Sequence, residues 1–474
     1  MSSVAVIGAG TNGLAAACVA ARAGLEVTVY ETNQNIGGAA RTQPLGESQA
    51  IFDLGSAVHP MAMLSEAFQV LGVHQRVDFT VPELSYAHVN THQSSLAWRD
   101  LQRTLEDLPV ADARIYSGIM TPLVKRIHEL GQTLLNPLLD VPRHPVTLAA
   151  FGASTLLGMG LLQGIPEKAP HAAALLAGCA AHVAGGSRGP AGTGAGLFLA
   201  AAAHGAGWPI PRGGSQAISD ALASELTEHG GRIVTGQHID NLQDLDEQVF
   251  LLNTSPETAA QLGAGRIPEK LARKLSTPRR SPGSCVVHYV LREPVPWKDP
   301  AVAGAGTVHL GGSARQVHRA ERRSRRTLMN DPFVLVAQPS QFDSGRAAPN
   351  QHVLWAYCHV PLGSTADMSA RITALLEDAA PGFRDTIIHQ HVRTASDLEQ
   401  QNASLVGGDI SGGTMDLYGS VVRPRLSPNP WWLQARGMYL ISSAVPPGPS
   451  VHGMGGYRGA QHMLRREFGI SFER

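Results

Sequence analysis

The sequence predicts an α/β fold: a Rossmann-type domain, discontinuous along the chain, joined to a second, α+β domain. Three observations predict it. "VAVIGAGTNGL" reads as a strand, a glycine loop and the start of a helix. A second strand follows after about three turns of helix and ends on an acid, Glu31. The 474 residues exceed the roughly 250–300 that one hydrophobic core usually serves, so at least two domains are expected.

Residues 4–7 form a short β-branched run, the pattern of a buried parallel strand. Gly8, Gly10 and Gly13 then divide three tasks: a tight turn, room for a pyrophosphate, and close packing of helix on strand. The backbone N–H groups at Thr11 and Asn12 begin an Ala-rich helix over 14–23, whose N-terminus favours a phosphate. Residues 26–30 return as a strand. Glu31 stands about 20 residues past the loop, where a carboxylate accepts from ribose hydroxyls and disfavours a 2′-phosphate. A second glycine pair follows in Gly37-Gly38-Ala39-Ala40-Arg41-Thr42. It lets backbone approach the same pyrophosphate from its other side, and Arg41 brings charge to that group or to the substrate side. Residues 52–56, "FDLGS", read as a strand running into a turn.

Taken together, "GAGTNGL", "NIGGAART" and "FDLGS" resemble the FAD-binding start of the phytoene desaturase-like flavoproteins, carotenoid desaturases within the wider amine oxidase superfamily. The resemblance implies FAD rather than a nicotinamide dinucleotide. It extends to two distant blocks. Residues 207–242 read as a turn, a helix over 215–229 with Ile218, Leu222 and Leu226 on one face, a Gly-Gly stop and a strand. In the family that strand passes the adenine, which implies that backbone near Ile239 holds the base. Residues 249–256 resemble the next strand and its loop. The last block has a strand over 438–442 and a helix over 453–464 that starts on small residues. The resemblance points this helix N-terminus at the flavin, with Gly448, Gly453 and Met454 nearby, because reduced flavin carries negative charge that N–H groups stabilise. Where relatives show a run of glycines, this chain has Pro447-Gly448-Pro449-Ser450.

The FAD domain is therefore expected from residues 1–60, 205–280 and 432–474. The substrate domain is expected from 61–204, read as helical, and 281–431, read as richer in strands. "SCVVHYVL", "PFVLVAQPS" and "HVLWAYCHVP" carry the β-branched and aromatic content of sheet.

Lys+Arg and Asp+Glu balance at 38 each, so no net field draws in nucleic acid. Cys18, Cys179, Cys285 and Cys358 are scattered without a CxxC pair, which argues against a disulfide scaffold, a zinc site and a dithiol redox centre. No cysteine follows Cys358, so a thioether from the C-terminal block is ruled out and FAD is expected to be non-covalent. The first strand opens by residue 4 and leaves no room for a signal peptide, so a cytoplasmic chain is expected. Residues 146–165 run twenty positions without a charge. Their glycines and polar residues argue for an apolar wall of a cavity over a membrane span, with a peripheral patch touching lipid as the alternative. Arg315, Arg319, Arg322, Arg323, Arg325 and Arg326 cluster in twelve residues within the strand-rich part. They read as a solvated face, with anionic lipid heads as the alternative partner.

Flavin chemistry asks little of the protein beyond placement, a dry pocket and one base. His59 after "DLGSAV", His452 before the C-terminal helix and Tyr457 within it are the catalytic candidates, and Trp208 is expected to border the substrate pocket. The expected activity is an FAD-dependent oxidation. Hydride leaves an apolar, isoprenoid-like substrate for the flavin, and the electrons pass on to a diffusible acceptor, oxygen or a quinone. Amine oxidation, a redox-neutral isomerisation or hydration, and a non-catalytic prenyl-binding role are the alternatives. Oligomeric state is not written in the sequence.

Overall fold

In a computed structural model, residues 3–46, 48–90, 93–137, 142–163, 167–186 and 189–472 are described. The β-branched run near the N-terminus becomes β1 (Ser3–Ile7), α1 is Thr11–Arg22, and β2 is Glu26–Glu31. Both strands are almost wholly buried, as a central parallel strand with helices on both faces must be. They lie in a five-stranded parallel sheet with Val249–Leu252 and Met438–Leu440 on one side and Arg232–Thr235 on the other. Strands from three distant stretches of chain thus make one sheet. The Gln216–Glu228 helix lies beside α1 through Ile218, Leu222 and Leu226, and Cys18 donates to the Leu222 carbonyl.

A seven-stranded mixed sheet forms the second layer system. Its order is Ile387–Arg393, Gly283–Leu291, His352–Val360, Val334–Ala337, Ala305–Leu310, Leu84–Val89 and Ser94–Trp98. The last two strands correct the reading of 61–204 as helical. "LSYAHV" alternates too little to show as a half-exposed strand, because all six of its residues are buried. Pro170–Ala180 and Pro190–Gly205 pack on its Leu84–Val89 and Ser94–Trp98 strands, and Val110–Val124 and Pro145–Gln163 pack on those helices.

Distant segments of the chain are tied together by charge as well as by apolar packing. Arg346 and Asp53 form an ion pair at 2.9 Å with both side chains buried. The other Asp53 oxygen accepts from Thr42 Oγ1 at 2.6 Å and from the Ser215 N–H at 2.7 Å. Asp53, read only as part of a strand, is the knot between three segments of chain.

Candidate functional site

The two glycine loops meet. Gly37 donates its N–H to the Ala9 carbonyl at 2.8 Å, and Gly10 and Gly37 form a parallel bridge. A Cβ at Gly38 would lie 3.1 Å from Gly10 Cα, and one at Gly13 would lie 2.0 Å from the Gly8 carbonyl oxygen. The first contact brings the loops together, and the second sets α1 down on the strand end.

A cavity of about 1140 Å³ opens beside them. Gly8, Gly10, Thr11, Asn12, Glu31, Gly37, Gly38, Ala39 and Ile239 line it, as does His452 from the C-terminal block. Gly10 is the N-cap of α1, and the first N–H groups of a helix have no partner within it. The Glu31 carboxylate also lines the cavity, oriented by the Ala9 N–H at 2.8 Å and by the Asn33 N–H and side chain at 2.9 and 2.8 Å. Ile239 lies in the loop after Arg232–Thr235 rather than in the strand, because Gly236 turns the chain at φ 71°.

Several sequence candidates lie behind this wall, outside the set of lining residues. Arg41 is buried, and its guanidinium donates to the Gly38 and Gln401 carbonyls, both at 3.1 Å. Thr42 is committed to Asp53. Gly13, Gly448, Gly453 and Met454 also fall outside the lining, although Pro447, Pro449, Ser450 and Val451 are in it. The helix that follows is Met454–Met463, and its small residues face α1: a Cβ at Gly456 would lie 1.7 Å from the Asn12 carbonyl oxygen. Glycine there serves helix packing, with Val451 and His452 presented to the cavity instead.

Of the catalytic candidates, only His452 reaches the cavity. Its Nδ1 accepts from the Met454 N–H at 3.1 Å, and burial lowers its pKa to about 4 against the nearby Gly448 and Pro449 carbonyls. His59 turns away, and its Nε2 lies 2.7 Å from Ser215 Oγ. Burial brings it to about 4, with Asp53 opposing the shift and Arg346 adding to it. The pattern "DLGSAVHP" places His59 where it joins the 56–60 turn to the 209–215 turn. Tyr457 is fully buried, edge-on to Phe472 with ring centroids 6.2 Å apart.

The far half of the cavity is walled by the seven-stranded sheet and its helices. Ser284, Val286, Thr307, Leu335, Trp355 and Tyr357 face it from the strands, and His182, Phe198 and Trp208 from the helical side. Trp355 and Tyr357 were legible as one face of a strand, since i and i+2 point the same way. His182 carries no local signal, for it stands in a turn after an Ala-rich helix. Residues 393–399 and 407–413 also reach the wall, through Leu398 and through Ile410 and Ser411. Three buried cations lie near it without a carboxylate ion pair among the described residues. Arg41 is one. Arg423, which donates to the Ser411 and Ser443 carbonyls, is another. The third is Arg393, which donates to the Leu54 carbonyl, has an unpartnered Nε, and is pulled to about 10 by burial and by Arg41. The described residues hold no group of three or more His, Cys, Asp or Glu suited to a metal ion.

Residues 6–71 match the NAD(P)-binding Rossmann-like domain family. Across 98% of its length the chain is 25% identical to the rat (Rattus norvegicus) pyridine nucleotide-disulfide oxidoreductase domain-containing protein 2, covering 93% of that protein. It is 31% identical over 132 residues, 26% of each chain, to a 4,4'-diapophytoene desaturase of Staphylococcus aureus. Among solved structures it is similar to putrescine oxidase bound to putrescine, with a TM-score of 0.54, 15% identity and 99% of both chains covered. The fold is that of the desaturase- and amine oxidase-like oxidoreductases, with a Rossmann-like dinucleotide-binding part.

Proposed function

We propose that this chain is an FAD-dependent oxidoreductase that removes hydride from an apolar small molecule. The observation that carries the reading is the single cavity shared by both glycine loops, Glu31, the 447–452 segment and an aromatic, apolar far wall. The residues fit FAD on three counts. The helix N-terminus at Gly10 offers unpaired N–H groups beside closely approaching glycines. Arg41 and Arg393 leave uncompensated positive charge next to those loops, which suits a pyrophosphate. The cavity exceeds the roughly 300–1,000 Å³ of common ligand sites and has room for a dinucleotide together with a substrate.

When bound, FAD supplies the hydride acceptor. The chain's own residues do the rest. Gly10, Thr11 and Gly38 would hold phosphate oxygens, Glu31 would accept from the ribose, and backbone at Ile239 would meet the base. Val451 and His452 line the same cavity. Neutral His452 carries its proton on Nε2, since Nδ1 accepts from Met454, and so acts as a donor. Phe198, Trp208 and Trp355 exclude water. None of the four cysteines lines the cavity, which supports non-covalent binding. Oxygen or a quinone would take the electrons onward.

The test is direct. Purified or FAD-reconstituted chain is expected to hold a yellow flavin absorbance through gel filtration, and a Gly10→Val variant to lose it. Colourless wild-type protein after reconstitution would overturn the proposal. A second reading, amine oxidation, is favoured by the Trp355–Tyr357 pair, whose ring centroids are 5.1 Å apart on the cavity wall. Anaerobic bleaching of the flavin by an amine, and not by an isoprenoid, would select it.

A further inference from the structure

Across the seven-stranded sheet, strand register sets Val286, Tyr357, Leu335, His309 and His88 side by side in one row. The Val286–Tyr357–Leu335 end of the row faces the cavity. At the other end His182 lies over His309, and it is His182 that reaches the cavity. Its ring is edge-on to Trp208, with centroids 5.7 Å apart at 71°. His182 Nε2 is 3.1 Å from His309 Nε2. His309 is fully buried, and its Nδ1 has no hydrogen-bond partner.

The sequence makes room for this pair. A Cβ at Gly178 would lie 2.3 Å from His309 Nδ1 and 3.0 Å from His88 Nδ1. The Pro170–Ala180 helix passes the two imidazoles only because position 178 has no side chain. Both rings are neutral near pH 7. Burial, with His359 nearby, draws His182 to about 3. Burial, with His182 and His88 nearby, draws His309 well below the ordinary histidine range.

Two neutral imidazoles joined Nε2 to Nε2 hold two protons, one in the bridge and one on the Nδ1 of the accepting ring, so a switch moves the bridging proton across while solvent takes one proton from one Nδ1 and returns one to the other. If His182 gives the bridging proton, its Nδ1 is bare and accepts. If His309 gives it, His182 carries Nδ1–H and donates. A histidine held by a carboxylate is locked in one of these states. Here the far nitrogen of His309 has no third group to lock it, so the pair can present either face without acquiring charge.

We propose that the His182–His309 pair is a tautomer-switching anchor in the far half of the cavity. It selects a ligand that is apolar over most of its length and carries one hydroxyl, carbonyl or uncharged amine group. The inference rests on reading that half as the substrate site. It makes a functionalised hydrocarbon, rather than a bare polyene, the substrate class.

The test uses the full chain, with quenching of tryptophan fluorescence reporting occupancy, since Trp208 and Trp355 line the cavity. The probes are decanol, decanal and decane. His182→Phe is expected to weaken decanol and decanal about five- to tenfold, the value of one net hydrogen bond, and to leave decane unchanged. His182→Gln, with both donor and acceptor, is expected to restore most of the loss. Equal effects on all three probes, no effect on any, or no saturable binding in the wild type would overturn the proposal. Should His182→Phe fail to fold, nitrogen-15 spectra of the wild-type imidazoles decide. Decanol must move the His182 signals, and decane must not; equal response refutes the anchor. FAD retention is scored separately. Lost flavin with intact alcohol discrimination sinks the cofactor reading alone, and retained flavin without discrimination sinks this one alone.

Discussion

At the residue scale, the side chains that hold the site are largely not the ones that line it. Asp53 shows this most plainly, with one oxygen on Arg346 and the other on Thr42 and Ser215. Removing one member of a buried pair leaves the other charge uncompensated, at a cost of about 3–5 kcal/mol. Arg346 keeps a second pair, to Asp343 at 2.7 Å, so Asp53→Ala should cost less than that, about 1–3 kcal/mol for the buried donors left unpaired, read as the urea midpoint, and no measurable loss would show that water reaches them. A second consequence concerns acid. Burial lowers His59, His88, His204 and His452 each to about 4. An unfolded chain titrates its histidines near 6.5. Between those values the unfolded chain binds protons and the folded chain does not. Their contribution is thus complete above about pH 6.5 and falls as pH drops toward 4, by up to about 1.4 kcal/mol per pH unit for each group. The urea midpoint at pH 5 should lie well below that at pH 7.5. A flat profile would mean that these rings hydrate and charge in place.

At the element scale, glycine placement decides whether α1 and the Met454–Met463 helix can meet. The 1.7 Å approach of a Cβ at Gly456 to the Asn12 carbonyl leaves no flexible atom to move aside. Gly456→Ala should cost about 1–3 kcal/mol, the usual penalty of overpacking, and lower retention of the cofactor, because Asn12 lines the cavity. Gly118, in an open helical position with nothing within 4 Å, is the control. Gly118→Ala should gain up to about 1 kcal/mol from helix propensity. Equal effects at the two positions, read as melting temperatures, would remove packing as the reason. These elements also show what sequence can carry. β1, α1, β2 and the Gln216–Glu228 helix were legible because period, cap and glycine spacing are local properties of the chain. The roles of Arg41, His59 and Tyr457 were not. A motif fixes where a residue stands on its element but not which way the element turns, and each of the three turns into protein. His182 was invisible for the complementary reason: only the register of a distant sheet gives it a partner.

At the scale of the whole molecule, the long uncharged segment is both a wall and a surface. Pro145–Gln163 has a mean hydropathy of 1.6, yet only 28% of that stretch is buried. Residues 164 and 165, the end of the segment as read from sequence, lie outside the described residues. Phe151, Thr155 and Met159 line the cavity, and Leu156, which is 72% exposed, lines it as well. Leu417, 58% exposed on the Leu417–Val421 helix, shares that double position. A residue that faces both outward and into a cavity stands at its mouth, so the mouth is apolar. Exposed leucines of this number are costly in water, and a lipid surface would cover them. Arg315 ties the arginine-rich Ala314–Ser324 helix to Glu167, four residues past the apolar helix, and Arg319, Arg322 and Arg323 stay exposed along it. Basic side chains flanking an apolar patch favour anionic headgroups by about 1 kcal/mol each. Cosedimentation with vesicles should therefore be stronger for phosphatidylglycerol than for phosphatidylcholine and weaken with salt. Leu156→Asp with Leu157→Asp should reduce binding more than tenfold, since inserting two leucines contributes at least about 2 kcal/mol. Binding that ignores both lipid charge and these leucines would leave the mouth to another occupant. A shift of the wild-type chain, but not the variant, to twice the monomer mass in the absence of vesicles would identify that occupant as a second copy.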